Sequence, residues 1–182
     1  MKYSEIASAL QGRLYGADRS LHAVSIDSRT VGKNDLFIAL KGERFDGHDF
    51  LHDVAGRGAA GIMVQQKAPI DISQIVIDDT HAGLGRLAKL WRDQYTPKLA
   101  AITGSNGKTT VKEMLASIMR QQGETLVTQG NLNNDIGVPL TLLRLNASHR
   151  YAVIEMGANH PGEIRYLSQL ATPQTALITN AG

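Results

Sequence analysis

The chain has 182 residues, enough for one ordinary domain or two small ones, with 42% hydrophobic and 20% charged residues, which excludes disordered, collagen-like and disulfide-scaffold classes. Its net charge of +2 is spread without a run of like charges, so neither a nucleic-acid tail nor a polybasic membrane anchor is expected. It contains no cysteine, which fits a reducing cytoplasm, and it has neither an apolar stretch of membrane-spanning length nor a signal-peptide pattern at its start.

In chain order, "SEIASALQG" predicts a short helix capped by Ser4, with Ile6, Ala9 and Leu10 on one face and Gly12 at its stop. "HAVSIDSR" and "DLFIALKG" predict two strands of one small sheet, joined by the turn-rich "TVGKN". "HDFLHDVAGRGA" predicts a helix with Phe50, Leu51, Val54 and Ala55 on one side, and "AGIMVQ" and "QIVIDD" predict strands. "HAGLGRLAKLWRDQY" sets Leu84, Leu87, Ala88, Trp91 and Tyr95 on one helical stripe, and the change of pattern sets a domain boundary near residues 79 to 83.

Beyond Leu99 the pattern becomes strand, loop and helix, repeated. "LAAIT", "YAVIEMG" and "TALITN" are continuous apolar runs of strand length, the mark of parallel strands covered on both faces. A short "TLVT" strand follows the helix "KTTVKEMLASIMRQQ", whose expected core stripe is Val111, Met114, Leu115, Ile118 and Met119. The chain stops just after the last strand, where open α/β sheets carry their ligand loops, so a truncated piece of a longer protein is expected. The fold class is therefore α/β: a small mixed N-terminal domain followed by a truncated parallel-sheet domain carrying a P-loop.

The stretch "AAITGSNGKTTVKEML" holds the principal chemistry. A strand, a glycine-containing turn and Lys-Thr opening a helix direct backbone N–H groups and the positive end of a helix dipole at one spot, which suits polyphosphate. Thr103, Gly104, Ser105, Asn106, Gly107, Lys108, Thr109 and Thr110 are the candidate nucleotide-binding residues. Lys108 supplies a point charge for the outer phosphates, and the Thr109 hydroxyl can ligate Mg²⁺. The usual upstream glycine is replaced by Ile102, which lies inside the strand and leaves the phosphate-cradling donors in place. Glu155, ending "YAVIE", is the candidate metal-organising acid, with a capping or salt-bridging role as the alternative. In "GNLNNDIGVPLTLLRL", read as a turn before a proline-started helix, Asn131, Asn133 and Asn134 serve either the loop's own backbone or a ligand. His160, read at a helix start before Pro161, is equally open between a surface position and a substrate contact. His22, His52, His81 and His149 have no companion at metal-ligand spacing.

Taken with "DSR" at 27–29, "LFIALKGERFDGHDF" at 36–50 and "IEMGANHPGEI" at 154–164, these motifs resemble the Mur ligases over essentially the whole chain. Within that family the chain is most similar to the branch that joins D-alanyl-D-alanine to UDP-N-acetylmuramoyl-tripeptide in peptidoglycan synthesis. The resemblance implies an ATP- and Mg²⁺-dependent, cytoplasmic amide ligase, expected as a monomer, working through an acyl phosphate. It also implies a domain binding the UDP substrate at residues 1–82, the first part of a central ATP-binding domain at 83–182, and a C-terminal Rossmann-like domain outside the chain. Ser28, Glu43, Arg44 and Phe45 match positions that hold the uridine diphosphate portion. Asn133 and Asn134 match positions contacting the muramoyl-peptide side, with His160 as an active-site contact. Thr109 and Glu155 match metal-site positions, and Lys108 and Glu155 are the expected catalytic pair. A histidine after "TNAG" and a lysine that is carbamylated in relatives are expected in the family and absent from these residues. Two alternatives stand beside this reading. One is the related branch that adds a diamino acid, whose relatives carry a Thr-Thr-Pro stretch where this chain has "NNDIGVP". The other is a nucleotide- and UDP-substrate-binding unit without catalysis, the behaviour expected of these 182 residues alone.

Overall fold

The computed structural model describes residues 1–42 and 45–180, which divide into two compact units, Met1–Leu84 and Gly85–Gly182. In the first unit, helix α1 (Tyr3–Ala9) precedes a five-stranded sheet of order β1-β5-β4-β3-β2. Its strands are β1 (Arg13–Tyr15), β2 (Val24–Ser25), β3 (Leu36–Ile38), β4 (Gly61–Val64) and β5 (Ser73–Val76). β2 to β5 run parallel, and β1 closes the edge antiparallel to β5. A 3₁₀ turn (Gly47–Phe50) leads into α2 (Leu51–Gly56), whose Leu51 and Val54 pack with Phe37, Ile62 and Val64.

Two details of the first unit differ from the sequence reading. Ser4 is not the cap of α1: it lies within the helix and donates through its hydroxyl to Asp18 at 2.8 Å, while the Lys2 N–H is held by the Glu5 carboxylate at 2.6 Å. The buried face is Tyr3, Ile6, Ala7 and Leu10, and Ala9 points to solvent. The helix starts two residues earlier than the expected cap would set it, which brings Tyr3 into it, and Tyr3, Ile6, Ala7 and Leu10 then form an i, i+3, i+4, i+7 stripe that excludes Ala9. Strand β1, only three residues between Gly12 and Gly16, carries too short an apolar pattern to be read from the sequence.

The second unit is built on a four-stranded, wholly parallel sheet of order β7-β8-β6-β9. Its strands are β6 (Lys98–Thr103), β7 (Thr125–Val127), β8 (Tyr151–Glu155) and β9 (Thr175–Ile178). Its helices are α4 (Lys108–Arg120), α5 (Gly137–Leu142) and α6 (Glu163–Ala171), joined by the later part of α3 (Thr80–Arg92). Ala88, Leu99, Leu126, Val138, Leu142, Ile154 and Leu167 form the core on one side of the sheet. Ile102, Ala116, Val127 and Val153 form it on the other, with Ile102 fully buried in β6.

α4 presents a different face from the one expected. Met114 and Ile118 are 63% and 60% exposed, and the buried positions are Lys112 and Ala116, flanked by Val111, Leu115 and Met119. The i, i+4 series running from Lys108 through Lys112 to Ala116 faces the sheet, and counting apolar residues passed over the lysine. β9 departs from the expectation of burial on both faces, since all four of its residues are exposed. α5 begins at Gly137 with Pro139 third, and α6 begins at Glu163, three residues beyond His160.

Candidate functional site

β6 ends at Thr103 and α4 begins at Lys108, so the intervening turn sits at the carboxyl end of a central parallel strand, where such sheets place ligands. The turn depends on two glycines in the left-handed region: Gly104 at φ 136° and Gly107, the N-cap of α4, at φ 78°. A Cβ on Gly104 would collide with the Thr179 side chain and with the backbone of Asn180. Those same neighbours brace the loop. The Thr179 hydroxyl donates to Asn106 O at 2.5 Å, and Ser105 N–H donates to Asn180 O at 3.0 Å.

Ser105 to Thr110, with Gly130, Asn131, Asn133 and Glu155, line a cavity of about 340 Å³ over the start of α4. Lys108 arches over the loop, its Nζ donating to Gly104 O at 2.6 Å and lying 3.4 Å from Ser105 O. In this conformation the ammonium stays at the cavity wall, and incoming phosphate oxygens are better acceptors for it than neutral carbonyls. Thr103, the last residue of β6, contributes its carbonyl to the Thr179 brace rather than a group to the cavity lining.

Opposite the loop, β8 delivers Glu155, 2% exposed. Its Oε2 accepts from the Thr109 hydroxyl at 3.0 Å and its Oε1 from Asn133 Nδ2 at 2.9 Å, while its N–H donates to Thr128 Oγ1 at 2.9 Å. A hydroxyl and a carboxylate oxygen 3.0 Å apart at a cavity wall form a donor set that fits one Mg²⁺ completed by phosphate oxygens and water. Among the described residues no group of three or more His, Cys, Asp and Glu side chains could hold a metal by itself.

The remaining expected residues divide. Asn133 joins the site through Glu155. Asn134 turns to its own backbone instead, its Oδ1 accepting from Gly137 N–H at 2.8 Å at the start of α5, and it does not line the cavity. His160 is exposed in the turn before α6, where Glu163 accepts the Asn159 N–H and is held below the usual carboxylate range chiefly by that bond. Sequence reasoning missed Lys112, 1% exposed, whose Nζ donates to Thr128 O at 3.0 Å and lies 3.9 Å from Glu155 Oε2. Its signal was the four-residue spacing from Lys108.

The first unit holds a separate cavity of about 660 Å³, lined by Ser28 and Phe45 together with Asp27, Arg29, Phe50 and Arg57. Glu43 and Arg44, the other expected contacts here, lie outside the described residues. Asp27 and Arg29 are clamped together, Arg29 Nε and Nη2 donating to the two carboxylate oxygens at 2.9 and 2.7 Å. The side-chain bonds from Arg29, reinforced by its N–H, bring the Asp27 carboxyl down to about 2. Phe45 is 74% exposed at the rim, an aromatic face with no covering partner among the described residues.

Comparison with known proteins gives the family. The description "Mur ligase family, catalytic domain" matches residues 20–122, and "Mur ligase middle domain" matches residues 102–182. The chain is 50% identical over 177 residues to the UDP-N-acetylmuramoyl-tripeptide–D-alanyl-D-alanine ligase of Escherichia coli K12, an alignment covering 97% of this chain and 39% of that enzyme. It superposes on a crystal structure of MurF from Acinetobacter baumannii with TM-score 0.92 and 43% identity, over 99% of this chain and 41% of that one. It superposes on the MurF ligase of Thermotoga maritima in complex with ADP with TM-score 0.81 and 32% identity, over 88% and 38%. The chain thus spans about two-fifths of the length of these relatives, and it belongs to the Mur ligase family.

Proposed function

We propose that this chain supplies the nucleotide loop and the UDP-substrate cavity of an ATP-dependent amide ligase acting in the cytoplasm, which joins D-alanyl-D-alanine to UDP-N-acetylmuramoyl-tripeptide. The observation that carries this reading is the Gly104–Lys108 turn facing Thr109 and Glu155 across one cavity. The activity for which the relatives are named supplies the substrates.

Bound ATP would supply the phosphoryl group that turns a poor electrophile, the substrate carboxylate, into an acyl phosphate with ADP as leaving group, Mg²⁺ would offset the phosphate charge, and attack by the dipeptide amine would then release inorganic phosphate. The chain's own residues do the rest. Backbone N–H groups from Asn106 to Thr110 receive the phosphates at the positive end of α4, while the Ser105 N–H stays in the brace to Asn180. Lys108 leaves the Gly104 carbonyl to neutralise the outer phosphate, and Thr109 and Glu155 hold the metal ion, with Asn133 fixing the carboxylate. Asn133 borders the peptide side, Asn134 sets the loop beside it through its bonds to the start of α5, and His160 lies on another loop of the unit as a candidate substrate contact. In the first unit, Phe45 and Phe50 offer aromatic faces to uracil, Ser28 a hydroxyl, and Arg57 a cation for the diphosphate; Glu43 and Arg44 complete this group by resemblance.

Phosphate release that needs both the UDP-linked tripeptide and D-alanyl-D-alanine is the test of the reaction. Release that proceeds with a diamino acid in place of the dipeptide would transfer the proposal to the other branch. On these 182 residues themselves, calorimetry with ADP and with UDP-N-acetylmuramoyl-tripeptide should give two independent binding events, the first strongly weakened in Lys108→Ala. Binding of neither ligand would refute the assignment of both cavities.

A further inference from the structure

Lys112 and Glu155 are charged groups placed where water hardly reaches, at 1% and 2% exposure, and neither the loop motif nor the chemistry above requires the lysine. Burying an ammonium is unfavourable unless it is paired, so its surroundings indicate its task. Its stem lies on the buried face of α4 beside Ala116. Its Nζ donates to Thr128 O at 3.0 Å, pairs with Glu113 Oε1 at 3.0 Å and stands 3.9 Å from Glu155 Oε2. Thr128 also accepts the Glu155 N–H through its hydroxyl, so one residue of the chain fixes cation and carboxylate together. The two hydrogen bonds that the carboxylate oxygens receive, from Thr109 and Asn133, come from neutral groups.

From this we infer that Lys112 is the built-in counter-ion of Glu155, a positioning residue that makes divalent-cation binding at Thr109 and Glu155 conditional on nucleotide. The inference rests on the nucleotide reading above and extends it to the order of binding. Glu113 shares the ammonium from the solvent side, where its 56% exposed charge is screened by water, so at the buried cavity wall Lys112 is the cation that offsets Glu155, and among the described residues no group of three or more acidic, His or Cys side chains could hold a metal by itself. A divalent ion must then bring its negative partner with it, as phosphate. Removing the ammonium exposes the full carboxylate charge and should let the bare ion bind.

The test titrates Mn²⁺, observed by electron paramagnetic resonance, into the protein with and without ADP. The unsubstituted protein should bind Mn²⁺ weakly alone and far more tightly with ADP. Lys112→Met, which keeps the unbranched stem, should bind Mn²⁺ alone roughly tenfold or more tightly than the unsubstituted protein, with a correspondingly smaller gain from ADP. Lys112→Arg should retain the nucleotide requirement. A folded Met variant, checked by circular dichroism, whose Mn²⁺ affinity matches the unsubstituted protein in both conditions overturns the inference while leaving nucleotide binding intact. Should the Met variant fail to fold, the unsubstituted protein still decides: Mn²⁺ binding equally tight with and without ADP overturns it. Failure of that protein to bind ADP at all overturns the nucleotide reading and this inference together.

Discussion

The two candidate ligand cavities described above are made of different material. In the second unit the candidate phosphate wall is the backbone of a turn pinned between β6 and α4, with two glycines supplying the positive φ angles and the side chains of Thr109, Asn133 and Glu155 facing it. In the first unit the wall is largely side chain: Ser28, Arg29, Phe45, Phe50 and Arg57, set on loops and a 3₁₀ turn around two- and three-residue strands. A backbone site is encoded by spacing and by glycine, so it follows from local rules. A side-chain site is encoded by where distant loops meet, which no local rule supplies.

That contrast can be broken by substitution, beginning with the largest expected effect. Lys108→Ala should weaken ADP binding by roughly a hundredfold, about 3 kcal/mol, without changing the affinity for UDP-N-acetylmuramoyl-tripeptide, as calorimetry on the two ligands will read. Gly104→Ala should act on the fold as well as the ligand, because its φ of 136° and the crowding from Thr179 leave no room for a methyl group. A loss of about 2 kcal/mol in denaturant unfolding is expected, and an unchanged midpoint would show the loop to be more pliable than drawn. Arg57→Ala should do the reverse of Lys108→Ala, lowering UDP-substrate affinity about tenfold and sparing ADP.

Acid should separate the units further. The Asp27 carboxyl is held down to about 2 by Arg29, below its unfolded value near 4, so the clamp's contribution is complete above about pH 4 and disappears as pH falls toward 2. Binding of UDP-N-acetylmuramoyl-tripeptide to the first unit should therefore weaken across that window, and an Asp27→Asn variant should show a flatter pH dependence there by titration calorimetry. The smallest effect is expected at a residue that lines neither cavity. The Tyr3 hydroxyl is buried without a hydrogen-bond partner among the described residues, and its burial pushes its ionisation up to about 12. Tyr3→Phe should leave stability unchanged or raise it by up to about 1 kcal/mol, measured by thermal unfolding.

The same contrast explains what the sequence disclosed. The parallel strands β6 and β8, the turn between β6 and α4, and Glu155 at the end of β8 are legible because hydrophobic runs and glycines report them directly. Lys112 was hidden because a lysine inside an amphipathic helix is normally assigned to solvent, and only the sheet behind α4 reveals that it points inward. The first turn of α1 and the three-residue strand β1 were obscured by their shortness, which leaves the hydrophobic period without enough repeats to fix a phase. Asn134 presented the opposite problem: an amide rich in ligand potential turned out to be employed by its neighbours' N–H groups.

The fastening of the phosphate loop by Thr179 and Asn180 has a thermodynamic consequence. A loop already immobilised by its own chain loses little conformational freedom when a guest arrives, so its association should carry a small entropic penalty and near-rigid amide order parameters before and after. Cutting that tether with Thr179→Ala would shift the ordering of residues 104–107 from the folding step to the binding step, and the signature would be a more unfavourable binding entropy on an unaltered set of phosphate donors.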